Sequence, residues 1–362
     1  MKISGFPGFD AAVAGSTLVR ARVTDLTAQV ASGLRAQTFA GLGGDASLVL
    51  DLRSERARRE TFASAARRGE AFAEAAQNAL GAIRGAARDI LDKAPSLLLS
   101  GLPGSDELTV RTMAETARAS LKTIVGLLGE RFAGDALFGG AAPDQAPIVS
   151  AAVIETTGLF TQIRTEVQTL APGNGSTILA NTKALAESNV VGVSPFRGFA
   201  AEAASGLWTD SRRSVPVGEG VTISVGMYAY KNAASISQGQ TTGAWSRDLM
   251  WSLSVIANLE PPSPAALTDY RILVQGVIDA LKSGVNALIE DEAALGVEQS
   301  RLSVAAERNE NVALQLDIQV GKLESVDSSE AITQLTSSKT LLEASYRAMV
   351  IVGDLSLTKF LR

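Results

Sequence analysis

The C-terminal stretch of this chain decides its fold. Residues 297–362 read VEQSRLSVAAERNENVALQLDIQVGKLESVDSSEAITQLTSSKTLLEASYRAMVIVGDLSLTKFLR. Apolar residues recur there at steps of three and four, which places them on one side of an α-helix. The stripe members are Leu302, Ala305, Val312, Leu316, Val320 and Leu323, then Ile332, Leu335, Leu342, Tyr346 and Met349. Because long helices are stabilised mainly by packing, each of these two segments needs a helical partner of similar length.

The start of the chain supplies one such partner. Val19, Val23, Leu26 and Val30 follow one another at steps of four, three and four. Gly33 suits the left-handed position that commonly ends a helix, so we expect this helix to stop near residues 32–33. The sequence therefore predicts that helices from both chain ends pair with each other or with other copies.

Two further helices follow along the chain. Apolar residues at helical spacing run from Ala46 to about Leu91 and again from Val110 to Leu128. The glycine- and proline-containing link at residues 95–105 is typical of a turn between antiparallel helices. A helical hairpin is expected here.

The middle of the chain has a different character. Residues 141–264 contain all three tryptophans and most of the prolines, and a strand pattern runs from Val215 to Tyr230. Gly218-Glu219-Gly220 is expected to form a hairpin turn, and a helix is expected at about residues 247–258. We predict a mainly α fold, with long antiparallel helical hairpins or a coiled-coil bundle formed by both chain ends and an inserted, irregular, β-containing middle domain. The predicted domains are residues 1–42 with 328–362, residues 43–140 with 265–327, and residues 141–264.

Composition argues against most enzyme classes. The chain has neither histidine nor cysteine, which removes the commonest general base, thiolate chemistry and the usual zinc ligands. Carboxylate, Ser-Lys and tyrosine chemistry remain open, and our prediction is no catalytic site, no cofactor and no metal. The net charge of −5 is unfavourable for binding nucleic acid.

The sequence shows neither a cleavable signal peptide nor a long uninterrupted apolar run. Membrane insertion is accordingly not expected. Arginines between Arg53 and Arg68 alternate with glutamates at helical spacing, which favours a solvated or subunit-facing charged surface.

Short motifs along the chain resemble the flagellin family. Residues 29–35, QVASGLR, resemble the segment that closes the N-terminal helix in that family. Other segments are more similar to its hook-associated members than to filament flagellin: Met1–Ser4, Leu137–Gly140 with Asp144–Pro147, and Leu342–Ala348 with Leu355–Leu357. The family usually has two acidic residues after the first helix, whereas this chain has only Asp45 there. The connection between its helical layers is therefore expected to be built differently.

The resemblance implies a structural subunit of the extracellular bacterial flagellum, exported without a cleaved signal peptide. It implies a junction role between hook and filament, with filament flagellin as the alternative. The implied partners are other copies in a helical or ring assembly, another hook-associated protein, flagellin and an export chaperone. A helical signalling or adaptor protein of chemoreceptor type would have membrane spans or sustained heptads in the middle of the chain, and residues 141–264 interrupt such heptads. The zinc protease domain that some flagellins carry would need histidine, which this chain lacks.

The expected site is an interface between subunits. Its residues are Val19, Val23, Leu26 and Val30 on the first helix, and Leu335, Leu342, Tyr346, Met349, Leu355, Leu357, Phe360 and Leu361 on the last. The alternative for these positions is an intramolecular coiled-coil core. Residues 46–130 fit that alternative better, whereas the last twelve residues favour an interface because their apolar content exceeds one stripe.

Overall fold

The computed structural model describes residues 7–99, 107–140, 142–197 and 212–360. It is mainly helical, which confirms the predicted fold class. The helices are α1 Pro7–Ser32, α2 Ala46–Lys93, α3 Glu107–Leu128, α4 Gly158–Gln168, α5 Gly175–Glu187, α6 Trp245–Ala257, α7 Leu267–Glu324 and α8 Ser328–Phe360. Short 3₁₀ helices span Phe39–Asp45, Ala94–Leu99, Ala151–Thr156 and Pro264–Ala266.

The strands form two small antiparallel hairpins. β1 Arg131–Phe132 pairs with β2 Asp135–Ala136. β3 Ser214–Gly218 pairs with β4 Val221–Ser224, and its register shifts between Pro216 and Gly218. Gly220 adopts the left-handed φ of 67° in the connecting turn, which glycine permits at no steric cost. The hairpin turn predicted at residues 218–220 is thus present, but the strand ends at Ser224 rather than near Tyr230.

The chain divides into two compact units. Unit 1 contains Met1–Thr61 and Asn309–Arg362, and unit 2 contains Phe62–Arg308. The three-part division proposed from the sequence remains a prediction.

In unit 1, helices α1 and α8 pack against each other in antiparallel orientation. Arg22 donates to the side-chain oxygen of Gln334 at 3.4 Å, and Leu34 forms an antiparallel bridge with Ser325. Helix α1 ends where expected: Gly33 has a φ of 72°, and its N–H donates to the Gln29 carbonyl at 2.8 Å.

Unit 1 also contains a small hydrophobic core between the start of α2 and the end of α7. Leu42, Val49 and Val320 are buried together. Cross-helix ion pairs flank them, Arg53 with Glu324 at 2.7 Å and Arg56 with Asp317. These contacts hold the first turns of α2 against the last turns of α7.

Unit 2 has one continuous hydrophobic core. Every residue of α6 is buried in it, including Arg247 and Asp248. Helix α7 comes close to two neighbouring helices at glycines: a Cβ on Gly276 would lie 2.4 Å from Leu179 Cδ2, and one on Gly284 would lie 3.2 Å from Asp248 Cβ. At the first of these positions a Cβ would require the Leu179 side chain of α5 to shift.

The middle region is more helical than the sequence predicted. Helices α4 and α5 lie in a stretch that we expected to be mostly irregular. Thr157 caps α4 by accepting a hydrogen bond from the Phe160 N–H at 3.5 Å, and the buried positions Phe160, Ile163 and Val167 have helical spacing. The periodic segments span only 11 and 13 residues, so glycine and proline around them dominated the sequence signal.

One helical segment is long and apolar enough to resemble a membrane span. In Pro264–Glu324, 50% of the most apolar window is buried within the structure. This property does not identify a membrane span, because a core helix has the same length and composition.

Candidate assembly surface

The predicted interface residues of α1 lie along its contact with α8. Leu26 is buried, and Val19, Val23 and Val30 are half-buried. Their spacing places them on one side of α1. This side therefore serves first as the intramolecular seam between the two terminal helices.

On α8 the predicted residues fall into three groups. Leu335, Leu342 and Met349 are half-buried, whereas Tyr346 is 46% exposed. For residues 352–360 the structure describes the helix but not the side chains, so the surroundings of Leu355, Leu357 and Phe360 are not described. Leu361 lies outside the described residues.

The fully buried positions of the seam between α1 and α8 are mostly small side chains, whereas its larger apolar side chains other than Leu26 are half-buried. Its buried residues are Ser16 and Leu26 from α1, and Ala331 and Ser338 from α8. The Ser16 hydroxyl donates to the Val13 carbonyl of its own helix at 2.9 Å. Among these four buried residues, only Leu26 contributes a large apolar side chain to the helix pair.

Large apolar side chains of the same two helices face outward. Leu18 is 73% exposed, Leu341 55%, Val350 63% and Ile351 60%. Ile332, Tyr346 and Val350 are separated by 14 and 4 residues, about four turns and one turn, so they share one side of α8. We define Leu18, Ile332, Leu341, Tyr346, Val350 and Ile351 as the outward apolar set.

The sequence-based interface prediction contained only Tyr346 of this set. Val350 and Ile351 belong to the dense apolar run near the C-terminus. That run is the sequence feature that could have identified them as interface candidates. Periodicity alone does not say which of two adjacent stripes faces the intramolecular partner, because both have helical spacing.

The connection after α1 uses the single acidic residue that the sequence retains. Arg35 donates to the Asp45 carboxylate at 2.8 Å and to the Leu42 carbonyl at 3.3 Å. The Arg35 N–H also donates to the Glu324 carbonyl at 2.7 Å. This arginine therefore joins the start of α2 to the end of α7 within unit 1.

Most arginines on the N-terminal half of α2 form ion pairs, whereas Arg68 donates to the Ser64 hydroxyl. Arg59 binds Glu55 at 2.6 Å, and Arg67 binds Glu70 at 3.1 Å, each pair within one helix. Arg53 and Arg56 make the cross-helix pairs described above. The expected charged surface is thus largely neutralised inside the subunit.

Three buried carboxylates of unit 2 accept hydrogen bonds from neutral donors. Asp291 binds the N–H groups of residues 233–235 and the Trp245 indole at 2.8–3.0 Å. Asp248 accepts from the N–H and the hydroxyl of Thr242, each at 2.7 Å, and burial raises its pKa. Asp269 accepts from the N–H groups of Gly173 and Gly175, each at 2.9 Å, and these bonds lower its pKa.

Arg247 is the buried cation of this unit. It donates to the carbonyls of Tyr230 and Ala186, at 2.9 and 2.8 Å, and to the Asn189 side chain at 2.6 Å. Desolvation lowers its pKa, while Glu187 opposes that shift. These buried charges hold neighbouring loops through the bonds described above, although Asp248 Oδ2 has no hydrogen-bond partner. Within the described ranges no group of three or more metal-binding side chains lies together.

The fold defines a class of α-helical protein in which the two chain ends build one antiparallel helix pair. Residues 278–361 match the family of the bacterial flagellin C-terminal helical region. This match confirms the resemblance to the flagellin family that the sequence motifs indicated.

Similarity to curated proteins and to solved structures is limited. The sequence has no match among curated proteins. A solved structure from Vibrio parahaemolyticus, described as a candidate flagellar hook-associated protein, is 14% identical with a TM-score of 0.48 and covers 77% of this chain and 97% of its own. That similarity is too weak to carry an argument about fold or function.

Proposed function

We propose that this protein is a structural subunit of the bacterial flagellum, an extracellular appendage, and that its copies associate through α1 and α8. The observation that carries this proposal is the outward apolar set on a helix pair in which, among the large apolar side chains that the structure describes, only Leu26 is fully buried. The flagellin-type match over residues 278–361 supports the same conclusion.

This helix pair leaves several large apolar side chains exposed to solvent. Fully burying one leucine, valine or isoleucine side chain contributes about 1.5–3 kcal/mol. The outward apolar set contains six large side chains, all but one of them at least half exposed. Covering them with neighbouring copies therefore adds apolar burial beyond that of the seam, where Leu26 is buried and the other large apolar side chains are half-buried. The helix pair is expected to gain most of its stability on assembly.

Within the flagellum, we propose a hook-associated junction role. The segments Leu137–Gly140 and Leu342–Ala348 support it, since they resemble hook-associated members more than filament flagellin. The partners would be another hook-associated protein on one side and flagellin on the other. A filament flagellin remains the second candidate, because the matched C-terminal region is that of flagellin itself.

Export is proposed to proceed through the flagellar apparatus without cleavage of a signal peptide. A chaperone would cover the apolar side chains of α8 before assembly, since a free subunit exposes them to water.

Deletion of the gene in its source bacterium tests the junction role. Electron microscopy of cells, with analysis of the culture medium, should show intact hooks without filaments and unpolymerised flagellin in the medium. Short or missing filaments without released flagellin would indicate a flagellin instead. Unchanged flagella would contradict the structural role altogether.

A further inference from the structure

Asn174-Gly175 is the only Asn-Gly pair in the sequence. In flexible chains such a pair is chemically labile, since glycine leaves its backbone nitrogen accessible to the asparagine side chain. The Gly175 nitrogen attacks Asn174 Cγ, the C–N bond of the side-chain amide breaks, and ammonia leaves. Water then opens the resulting succinimide to aspartate or isoaspartate. In this protein the pair lies at the start of α5.

The fold holds both reacting groups, the Gly175 nitrogen and the Asn174 side-chain amide, in hydrogen bonds that disfavour this reaction. The Gly175 N–H donates to Asp269 Oδ1 at 2.9 Å, so the proton that must leave the nitrogen is bound to a carboxylate. Removing it would place a negative nitrogen beside a negative oxygen, which is electrostatically unfavourable. The Asp269 pKa is lowered by its backbone hydrogen bonds from Gly173 and Gly175, which makes this carboxylate a weak base.

The electrophile is fixed as well. The Asn174 side chain donates to the Thr169 carbonyl at 2.8 Å and accepts from the Ala171 N–H at 2.9 Å. Its amide is therefore turned back toward the preceding loop, and attack by the following nitrogen requires both bonds to break. Close packing reinforces this arrangement, because a Cβ on Gly175 would lie 2.5 Å from the Asp269 carbonyl oxygen.

We propose that Asn174 is a latent deamidation site that the fold suppresses through Asp269. The site reacts only when the loop at residues 169–175 opens or when the chain is unfolded. Conversion to a carboxylate would place an acceptor against the Thr169 carbonyl and a negative charge near Asp269. Deamidation would consequently loosen the start of α5 and mark chains that have spent time unfolded.

The test is mass-spectrometric peptide mapping of the full chain during incubation. Wild type, Asp269→Ala and Asp269→Asn are compared under native conditions, together with wild type in urea. The matched control is Asp279→Asn, which removes the same charge from an exposed position of α7. Folded wild type should deamidate at Asn174 at least about tenfold more slowly than the urea-unfolded chain, since reaction requires local opening. Folded Asp269→Ala should deamidate at Asn174 at a rate close to that of the unfolded wild type. The control variant should deamidate as slowly as folded wild type.

Circular dichroism establishes that the variants remain folded. Equal deamidation rates in folded and unfolded wild type would overturn the proposal, and this comparison needs no variant. A folded Asp269→Ala protein that deamidates as slowly as wild type would overturn the role of Asp269.

Discussion

The indole Nε1 of Trp245 donates a hydrogen bond of 3.0 Å to Oδ2 of Asp291, and both side chains are fully buried. The same carboxylate accepts three backbone N–H groups from residues 233–235. One carboxylate on α7 thus fixes both the start of α6 and the loop before it. Burying this charge is tolerated because four donors surround it.

Replacing this carboxylate tests its importance for unit 2. Asp291→Asn would turn an amide N–H₂ toward backbone or indole donors and leave buried groups unsatisfied, at a cost of about 2–3 kcal/mol. Urea unfolding followed by tryptophan fluorescence reports this directly, because all three tryptophans fall within unit 2. Asp279→Asn on the exposed side of α7 is the control. An unchanged midpoint for Asp291→Asn would show that these hydrogen bonds do not stabilise the unit.

Replacing the carboxylate of Asp248 should not destabilise unit 2 near neutral pH, in contrast to replacing that of Asp291. Burial raises the pKa of Asp248, and the two hydrogen bonds from Thr242 and the charge of Lys183 oppose this rise. Because the folded-state pKa exceeds the unfolded-state pKa, the ionised group costs stability at neutral pH. That cost falls as the pH drops through the folded-state pKa and is gone below the unfolded-state value of about 3.9.

We therefore expect Asp248→Asn to be as stable as wild type or more stable near neutral pH, because Oδ1 still accepts from Thr242. Any gain should shrink on acidification toward pH of about 4. Unfolding midpoints at both pH values measure this difference. A variant that is less stable than wild type at neutral pH and recovers in acid would contradict the assignment.

Two helix glycines make a matched pair for packing. A Cβ on Gly276 would overlap Leu179, whereas one on Gly85 would meet nothing within 4 Å. We expect Gly276→Ala to destabilise unit 2 by about 1–3 kcal/mol through overpacking. Gly85→Ala should stabilise it by about 0.5–1 kcal/mol through helix propensity. Adding Leu179→Ala should relieve part of the Gly276→Ala penalty, and the absence of any such coupling would rule out the overlap as its cause.

The C-terminal residues should be required for assembly and dispensable for unit 2. A chain ending at residue 354 lacks Leu355–Arg362, four of whose residues belong to the predicted interface. We expect this truncation to abolish incorporation into flagella while leaving the tryptophan-monitored unfolding of unit 2 unchanged. Incorporation of the truncated chain into flagella at normal levels would refute the interface assignment for these residues.

The elements that the sequence predicted correctly are those in which apolar residues recur at helical spacing over many turns. Helices α2 and α3, the end of α1 at Ser32 and the break before α8 all follow from periodicity and glycine placement. Helices α4 and α5 were missed because their periodic segments are short and flanked by turn residues. Their position depends on long-range bonds such as that of Gly175 with Asp269, which no local pattern reveals.

For the candidate assembly surface, the sequence predicted helical spacing but not which apolar residues of α8 are exposed. Leu335, Leu342 and Met349 have the spacing expected of an interface, and the structure places them half-buried on the seam side of α8. Leu341 and Val350, which were not assigned, are more exposed. These two positions are nine residues apart and therefore lie on opposite sides of the helix, so they do not form a second stripe. Only the position of α1 decides which apolar side chains are left for another copy.

The most direct test of assembly through the terminal helices is thiol labelling. The chain contains no cysteine, so Leu18→Cys and Val350→Cys each introduce a single reactive group, and Val191→Cys in unit 2, at an 85% exposed position, serves as the control. Maleimide labelling is compared between the secreted free subunit and purified flagella. The proposed association predicts that Cys at 18 and 350 reacts in the free subunit and is protected in flagella, while Cys at 191 reacts in both. Equal labelling of all three positions in assembled flagella would contradict assembly through α1 and α8.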